Sequence, residues 1–170
     1  MKSALELALA DYDGRHAEVL QQIVAEVAPT AAVLRQAVRL TGRGDAVMAK
    51  GASYVLWAWL TEGAKASPRV VADLADTLPR LDDKWVMLHV VRCVPLVRVE
   101  ARHAKAFAAM LQRASQREFP FLRAWSVDSM HKLSLEHANL AADARSMMEA
   151  ALDDEAPSVR KIVSRILSGR

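Results

Sequence analysis

The chain has 170 residues, 52% of them apolar and 25% charged, with six Gly, six Pro and one Cys. This excludes a collagen-like, low-complexity or disordered chain, and a single Cys excludes a disulfide framework or a Cys-based zinc site. A formal charge of +3 is mildly basic, well short of a dedicated nucleic-acid binder, although residues 1–85 hold 10 basic and 11 acidic groups and residues 86–170 hold 13 and 9.

Ala contributes 31 residues and Leu 20, against three Ile. These are helix formers, and turn residues are too few for a sandwich or barrel. The expected fold is all-α. Lys2–Asp11 and Arg15–Val27 form a first helical pair around Asp13-Gly14. Pro29-Thr30 opens a third helix, to Leu40, and Asp45 caps a fourth, to Leu60. Ser67-Pro68 is a cap followed by a first-turn proline, for a helix to Leu78. Asp82 or Asp83 caps a helix from Lys84 to about Val97, apolar on nearly all sides, with Pro95 in its last turn. Glu100–Ala114, Pro120–Leu133, Leu140–Leu152 and a helix opened by Pro157 complete about ten helices. The length fits a single domain, residues 1–170. No leader and no apolar run of membrane-spanning length is visible, so a cytoplasmic protein without membrane contact is expected.

The helices come in pairs, and the pairs repeat. Ala49-Lys50-Gly51-Ala52 aligns with Val86-Met87-Leu88-His89, with Leu122-Arg123-Ala124-Trp125 and with Val159-Arg160-Lys161-Ile162, in steps of 37, 36 and 37 residues. A steady period near 37 with two helices per unit predicts an α-solenoid. The last helix places Val159, Ile162, Val163, Ile166 and Leu167 on one stripe, to be buried on Leu140, Ala144, Met147 and Ala151 of its partner.

The segment Asp153-Asp154-Glu155-Ala156-Pro157-Ser158-Val159-Arg160 resembles the inter-helix turn of a HEAT repeat, with its turn Asp and its Val-Arg pair early in the second helix. Pro120-Phe121-Leu122-Arg123-Ala124-Trp125 resembles the same start without the turn Asp. Met87 replaces the Arg in one earlier copy and Lys50 approximates it in another. The resemblance implies a right-handed α-α superhelix of four to five pairs, similar to small bacterial HEAT-repeat proteins of unassigned role.

Chemistry is sparse. Cys93 sits among Val91, Val94 and Pro95 and reads as an inert core thiol. Asp128 and His131 share a helix face near Ser126 and Ser129, but no G-x-S-x-G elbow occurs, so a hydrogen-bonded pair or a solvated face is the better reading. Glu100 and His103 form one E-x-x-H, and a di-iron bundle needs two with further Glu. Gly42-Arg43-Gly44 lacks the P-loop pattern. No catalytic residue, metal site or cofactor is implied. Trp57 and Trp59, two apart, cannot share a helix face, and Trp85 and Trp125 sit early in second helices.

Basic groups are the sharper signal. Arg92, Arg123, Lys132, Arg160 and Arg165 all fall on second helices, which line one surface of a solenoid. With Trp125 they are the candidate partner-binding residues. The alternative is that they pair internally, as an Arg at the position of Arg160 pairs with a turn acid such as Asp154. The expected function is a non-enzymatic module binding a protein partner along its second helices. The second reading is weak nucleic-acid binding through a basic stripe. Trp125, Asp128 and the basic C-terminal half resemble HEAT-like DNA glycosylases acting on alkylated bases, whose aromatic and acidic catalytic set has no match here.

Overall fold

The computed structural model describes residues 3–43 and 45–169. The described residues are all-helical, with no strand among them. The ten helices are α1 (Ala4–Ala8), α2 (Ala17–Glu26), α3 (Ala31–Thr41), α4 (Ala46–Thr61), α5 (Pro68–Thr77), α6 (Lys84–Cys93), α7 (Ala101–Ser115), α8 (Pro120–Glu136), α9 (Ala141–Leu152) and α10 (Pro157–Leu167). They fall into two compact units, residues 1–98 and 99–170.

Local chemistry sets where the helices begin. Thr30, Asp45, Ser67 and Asp83 are extended N-caps whose side-chain oxygens accept N–H groups of the first turn. Of the two candidate caps before α6, Asp83 is the one used. Pro68, Pro120 and Pro157 occupy first-turn positions, where a missing N–H costs no helical bond. Pro95 has the opposite effect. Its ring cannot follow the helical ladder, so α6 ends at Cys93 and Val94–Leu96 tighten into a 3-10 turn, four residues short of the end expected from periodicity.

In the first unit α3 packs on α4 and α5, and α4 packs on α2 and α6. The second helix of each pair therefore touches the second helix of the next. Gly51 of α4 lets the segment after α1 approach closely, since a Cβ there would stand 2.9 Å from Tyr12 and 3.0 Å from Leu9. Trp59 is buried with its indole N–H on the Val24 carbonyl at 3.2 Å, while Trp57 faces the other way and is half-buried. The two tryptophans split between faces as their spacing requires.

In the second unit α8 is central and packs on α7, α9 and α10. The α10 stripe is narrower than its periodicity suggests. Val159 and Val163 are buried, Ile162 and Ile166 are half-buried, and Leu167 is 65% exposed. Leu140, Ala144, Met147 and Ala151 are buried, as expected of the surface under α10.

Burial ranks the effect of truncating these side chains. Leu133→Ala is expected to cost about 2–5 kcal/mol, with Ile162→Ala at the lower end. Leu167→Ala should stay within about 0.5 kcal/mol of wild type. Denaturant midpoints at constant slope give these values.

Candidate functional site

The most chemically distinctive surface lies in the first unit, along α4 and α6. On α4, Lys50, Tyr54 and Trp57 stand at i, i+4 and i+7; on α6, Trp85, His89 and Arg92 do the same. Each triplet lines one helix face. The two triplets meet rung by rung. The Lys50 ammonium lies 5.4 Å from the centre of the Trp85 ring. Tyr54 meets His89 edge-on at 5.6 Å. The Arg92 guanidinium lies 3.6 Å from the centre of the Trp57 ring. Within this ladder Trp57 also runs parallel to His89 at 6.3 Å, and Tyr54 sets its ring at 71° to Trp57. Lys84 adds a second ammonium to Trp85, at 5.8 Å.

The ladder has a buried foot and an open face. Ser53 Oγ donates to the Lys50 carbonyl at 3.0 Å and stands 2.9 Å from His89 Nδ1. The direction of the Ser53–His89 bond follows the imidazole tautomer. Burial, with Arg92 and Lys50 nearby, pushes the His89 pKa down to about 4. The ring is therefore neutral at pH 7. Trp85 is 38% exposed, and Lys50, Tyr54, Trp57 and Arg92 are half-buried. The Lys50 ammonium also donates to the Gly14 carbonyl at 2.7 Å. Neither a ring face nor a carbonyl cancels a unit charge, so Lys50 contributes a positive field to a surface of large rings.

The candidate cations of the second unit meet carboxylates and carbonyls instead of rings. Arg123 on α8 is buried and bidentate to Asp154, with Nε to Oδ2 and Nη2 to Oδ1 both at 2.8 Å. Its Nη1 donates to the carbonyls of Arg117 at 3.0 Å and Glu118 at 2.9 Å. Arg123 holds the Asp154 carboxyl below the usual carboxylate range. Lys132 of α8 and Arg165 of α10 close on the two oxygens of buried Asp128, each at 2.8 Å. Arg160 is exposed and donates through Nη1 to the carbonyls of Asp154 and Glu155. Trp125 is half-buried on α8.

Of the six candidate residues, Arg123, Lys132 and Arg165 are thus held by internal carboxylates, and Arg160 by carbonyls. Arg92 belongs to an aromatic surface, with neighbours that residue type did not point to: Lys50, Tyr54, Trp57, Trp85 and His89. A signal for them exists. Lys50 and Trp85, Tyr54 and His89, and Trp57 and Arg92 are each 35 residues apart, close to the repeat step. Residues one step apart on neighbouring second helices meet.

The other candidates resolve simply. Cys93 is fully buried, and burial pushes its thiol pKa far up. Asp128, bound by two cations, has both oxygens engaged. No group of three or more metal-binding side chains comes together among the described residues, and no helix is long and apolar enough to cross a membrane. Comparison with protein-family models, with curated proteins and with solved structures gives no match.

Two outcomes follow from this electrostatic arrangement. Arg123→Met removes the ion-pair partner of Asp154 and should cost about 3 kcal/mol, whereas Lys132→Gln should cost about 1 kcal/mol or less because Arg165 still holds Asp128. Chemical denaturation of the two variants measures the contrast. His89 carries a pH signature. Its folded pKa of about 4 lies below the ordinary 6.5, so the unfolded chain binds the extra proton between those values. Its contribution is fully present above about pH 6.5 and is lost as pH falls toward 4, by roughly 3 kcal/mol at about 1.36 kcal/mol per pKa unit. The stability difference between wild type and His89→Gln, followed from pH 7 to 4, reads this loss with the other groups cancelled.

Proposed function

We propose that this protein is a non-enzymatic interaction module, built of HEAT-like helix pairs stacked as a solenoid, and that it binds a protein partner on its second helices. The observation that carries the reading is the ladder of α4 and α6. It concentrates two Trp, one Tyr and one Arg with two Lys. Trp, Tyr and Arg are the residue types that dominate binding energy at protein interfaces. Lys50 is held by a ring and a carbonyl, so an incoming carboxylate meets positive charge beside exposed aromatic surface. The partner segment is accordingly acidic, with an apolar or aromatic residue to lie against Trp85 or Trp57.

The HEAT-like reading is supported by the contacts within each unit, where second helices touch second helices. It is also supported by the position of Met87, Arg123 and Arg160, each four residues beyond its helix N-cap.

A second reading, single-stranded nucleic acid, draws on the same alternation of cations and rings, which is how such strands are held without sequence preference. The internal pairing of Arg123, Lys132 and Arg165 counts against it, because it removes phosphate contacts.

The deciding experiment compares wild type with Trp57→Ala/Arg92→Ala and Lys50→Ala/Trp85→Ala in affinity capture from the native host, with Lys132→Gln as the surface control. A protein lost by both ladder variants and kept by the control supports the proposal; capture unaffected by either ladder variant overturns it. Fluorescence anisotropy with single-stranded oligonucleotides tests the second reading. It should show at most binding of about 10⁻⁴–10⁻⁶ M that collapses with salt.

A further inference from the structure

The groove between α3 and α5 holds a cavity of about 430 Å³, lined by both helices and by the 3-10 turn Leu78–Arg80 that follows α5. Most of its lining is polar. Gln36 and Arg39 come from one face of α3, and Asp73, Asp76 and Arg80 come from α5 and its turn. Gly42, the C-cap of α3, lets the two elements close at this end, since a Cβ there would stand 2.9 Å from Thr77 Cγ2 and 3.6 Å from Arg80 Nη2. The Arg80 guanidinium therefore lies at the C-terminal end of α3, beside the turn that carries Arg39.

Some of these groups are already engaged. Asp73 takes Arg35 Nε on Oδ2 at 2.8 Å and Arg69 Nε on Oδ1 at 3.0 Å. The Thr77 hydroxyl donates to the Leu74 carbonyl at 2.7 Å. Others are left over. Gln36 Oε1 is buried without a hydrogen-bond partner. Asp76 and Arg80 are exposed, and no ion pair or side-chain hydrogen bond to another described residue holds either of them. Arg39 comes no closer than 3.9 Å to its carboxylate, Glu6, which is already bound to Arg43 and to the Ser3 N–H.

A buried acceptor without a donor costs stability, and a wall of an open cavity is where a bound group supplies the donor. The leftover set is of mixed sign: two guanidinium groups, one carboxylate and one amide oxygen. A simple anion pairs with Arg39 and Arg80, but it faces Asp76 and leaves Gln36 unsatisfied. A simple cation satisfies Asp76 and Gln36 against the field of two arginines. A small zwitterion pairs with all four.

We propose that the α3–α5 cavity is a binding site for a free α-amino acid, whose carboxylate lies on Arg39 and Arg80 and whose ammonium donates to Gln36 Oε1 and Asp76. A planar guanidinium matches a carboxylate edge in geometry as well as in charge. The volume falls in the range of small-molecule sites. Apolar lining is confined to Ala32 and Val38, so the ligand is an amino acid with a small or polar side chain. Its charged contacts are open to water, and added salt weakens them. None of the cavity residues belongs to the α4–α6 ladder, so this inference does not depend on that surface.

NMR titration of the ¹⁵N-labelled full chain tests it, with glycine, alanine, serine, asparagine and glutamine as probes. Ethylamine and propionate, which each lack one charge of alanine, and inorganic phosphate are the comparison ligands. Amide signals of α3 and α5 should shift and saturate with at least one of the five amino acids. The comparison ligands should bind about tenfold more weakly or less. Arg80→Gln and Asp76→Asn should each weaken the amino acid by about tenfold. Neither removes an internal partner, so the denaturation midpoint should hold. Gln36→Met should weaken binding too, without lowering the midpoint, because the oxygen it removes has no partner inside the protein. No saturable shift in α3 and α5 with any of the five overturns the proposal. So does propionate, phosphate or ethylamine binding as tightly as the amino acid, or binding undiminished in any of the three variants.

Discussion

No helix of this protein can bury its own apolar stripe, and the rest of the structure depends on that constraint. A helix such as α10, with Val159 and Val163 buried and charged residues on its other sides, gains stability only by lying against another helix. Pairing with the preceding helix covers part of the stripe. The remainder is covered by the second helix of a neighbouring pair, as α8 does for α10 and α6 for α4. Gly51 of α4 likewise lets Leu9 and Tyr12, in the segment after α1, approach closely. The same packing aligns second helices side by side and gives each unit a face made of their outward side chains.

On those faces the chain handles positive charge in two ways. In the second unit, carboxylates lie on the same helix or enter from the next turn, and Asp128 and Asp154 hold three cations in ion pairs. Asp154 and Asp128 each tie one helical pair to the next, so their energy goes into the fold. In the first unit Lys50, Lys84 and Arg92 lie over rings. A ring face attracts a cation without cancelling its charge. The Lys50 field therefore remains available at the surface, while the rings are held in place by neutral His89 and its bond to Ser53. The two arrangements put charge to different uses: carboxylates convert it into stability, and rings leave it presented.

Arg123 and Arg160 show how strongly context decides the fate of a residue. Their helix positions and their carbonyl contacts are the same. The first is buried and bidentate because a following turn supplies Asp154; the second is exposed. Likewise Met130 is fully buried and Leu167 largely open at equivalent places. Repetition copies the local geometry, and neighbours determine burial and ionic state.

The sequence by itself determined that the chain is helical and where many of the helices begin. Asp45, Ser67-Pro68, Asp83, Pro120 and Pro157 act within a turn of their own position, so their effect is legible without knowing what lies across from them. It also determined the separation of Trp57 from Trp59, which is helical geometry alone, and the burial of Cys93 among apolar neighbours. What only the tertiary structure decided is which side chains meet between helices. Arg92 read as one member of a basic stripe, and it stacks on Trp57; Arg123 read as a partner-binding group, and it is locked on Asp154. A cation on a helix is compatible with a carboxylate, a carbonyl, a ring or water. Which of these it meets depends on the register of a neighbouring helix some 35 residues away, and a shift of one residue there rotates every contact by about 100° around the helix axis.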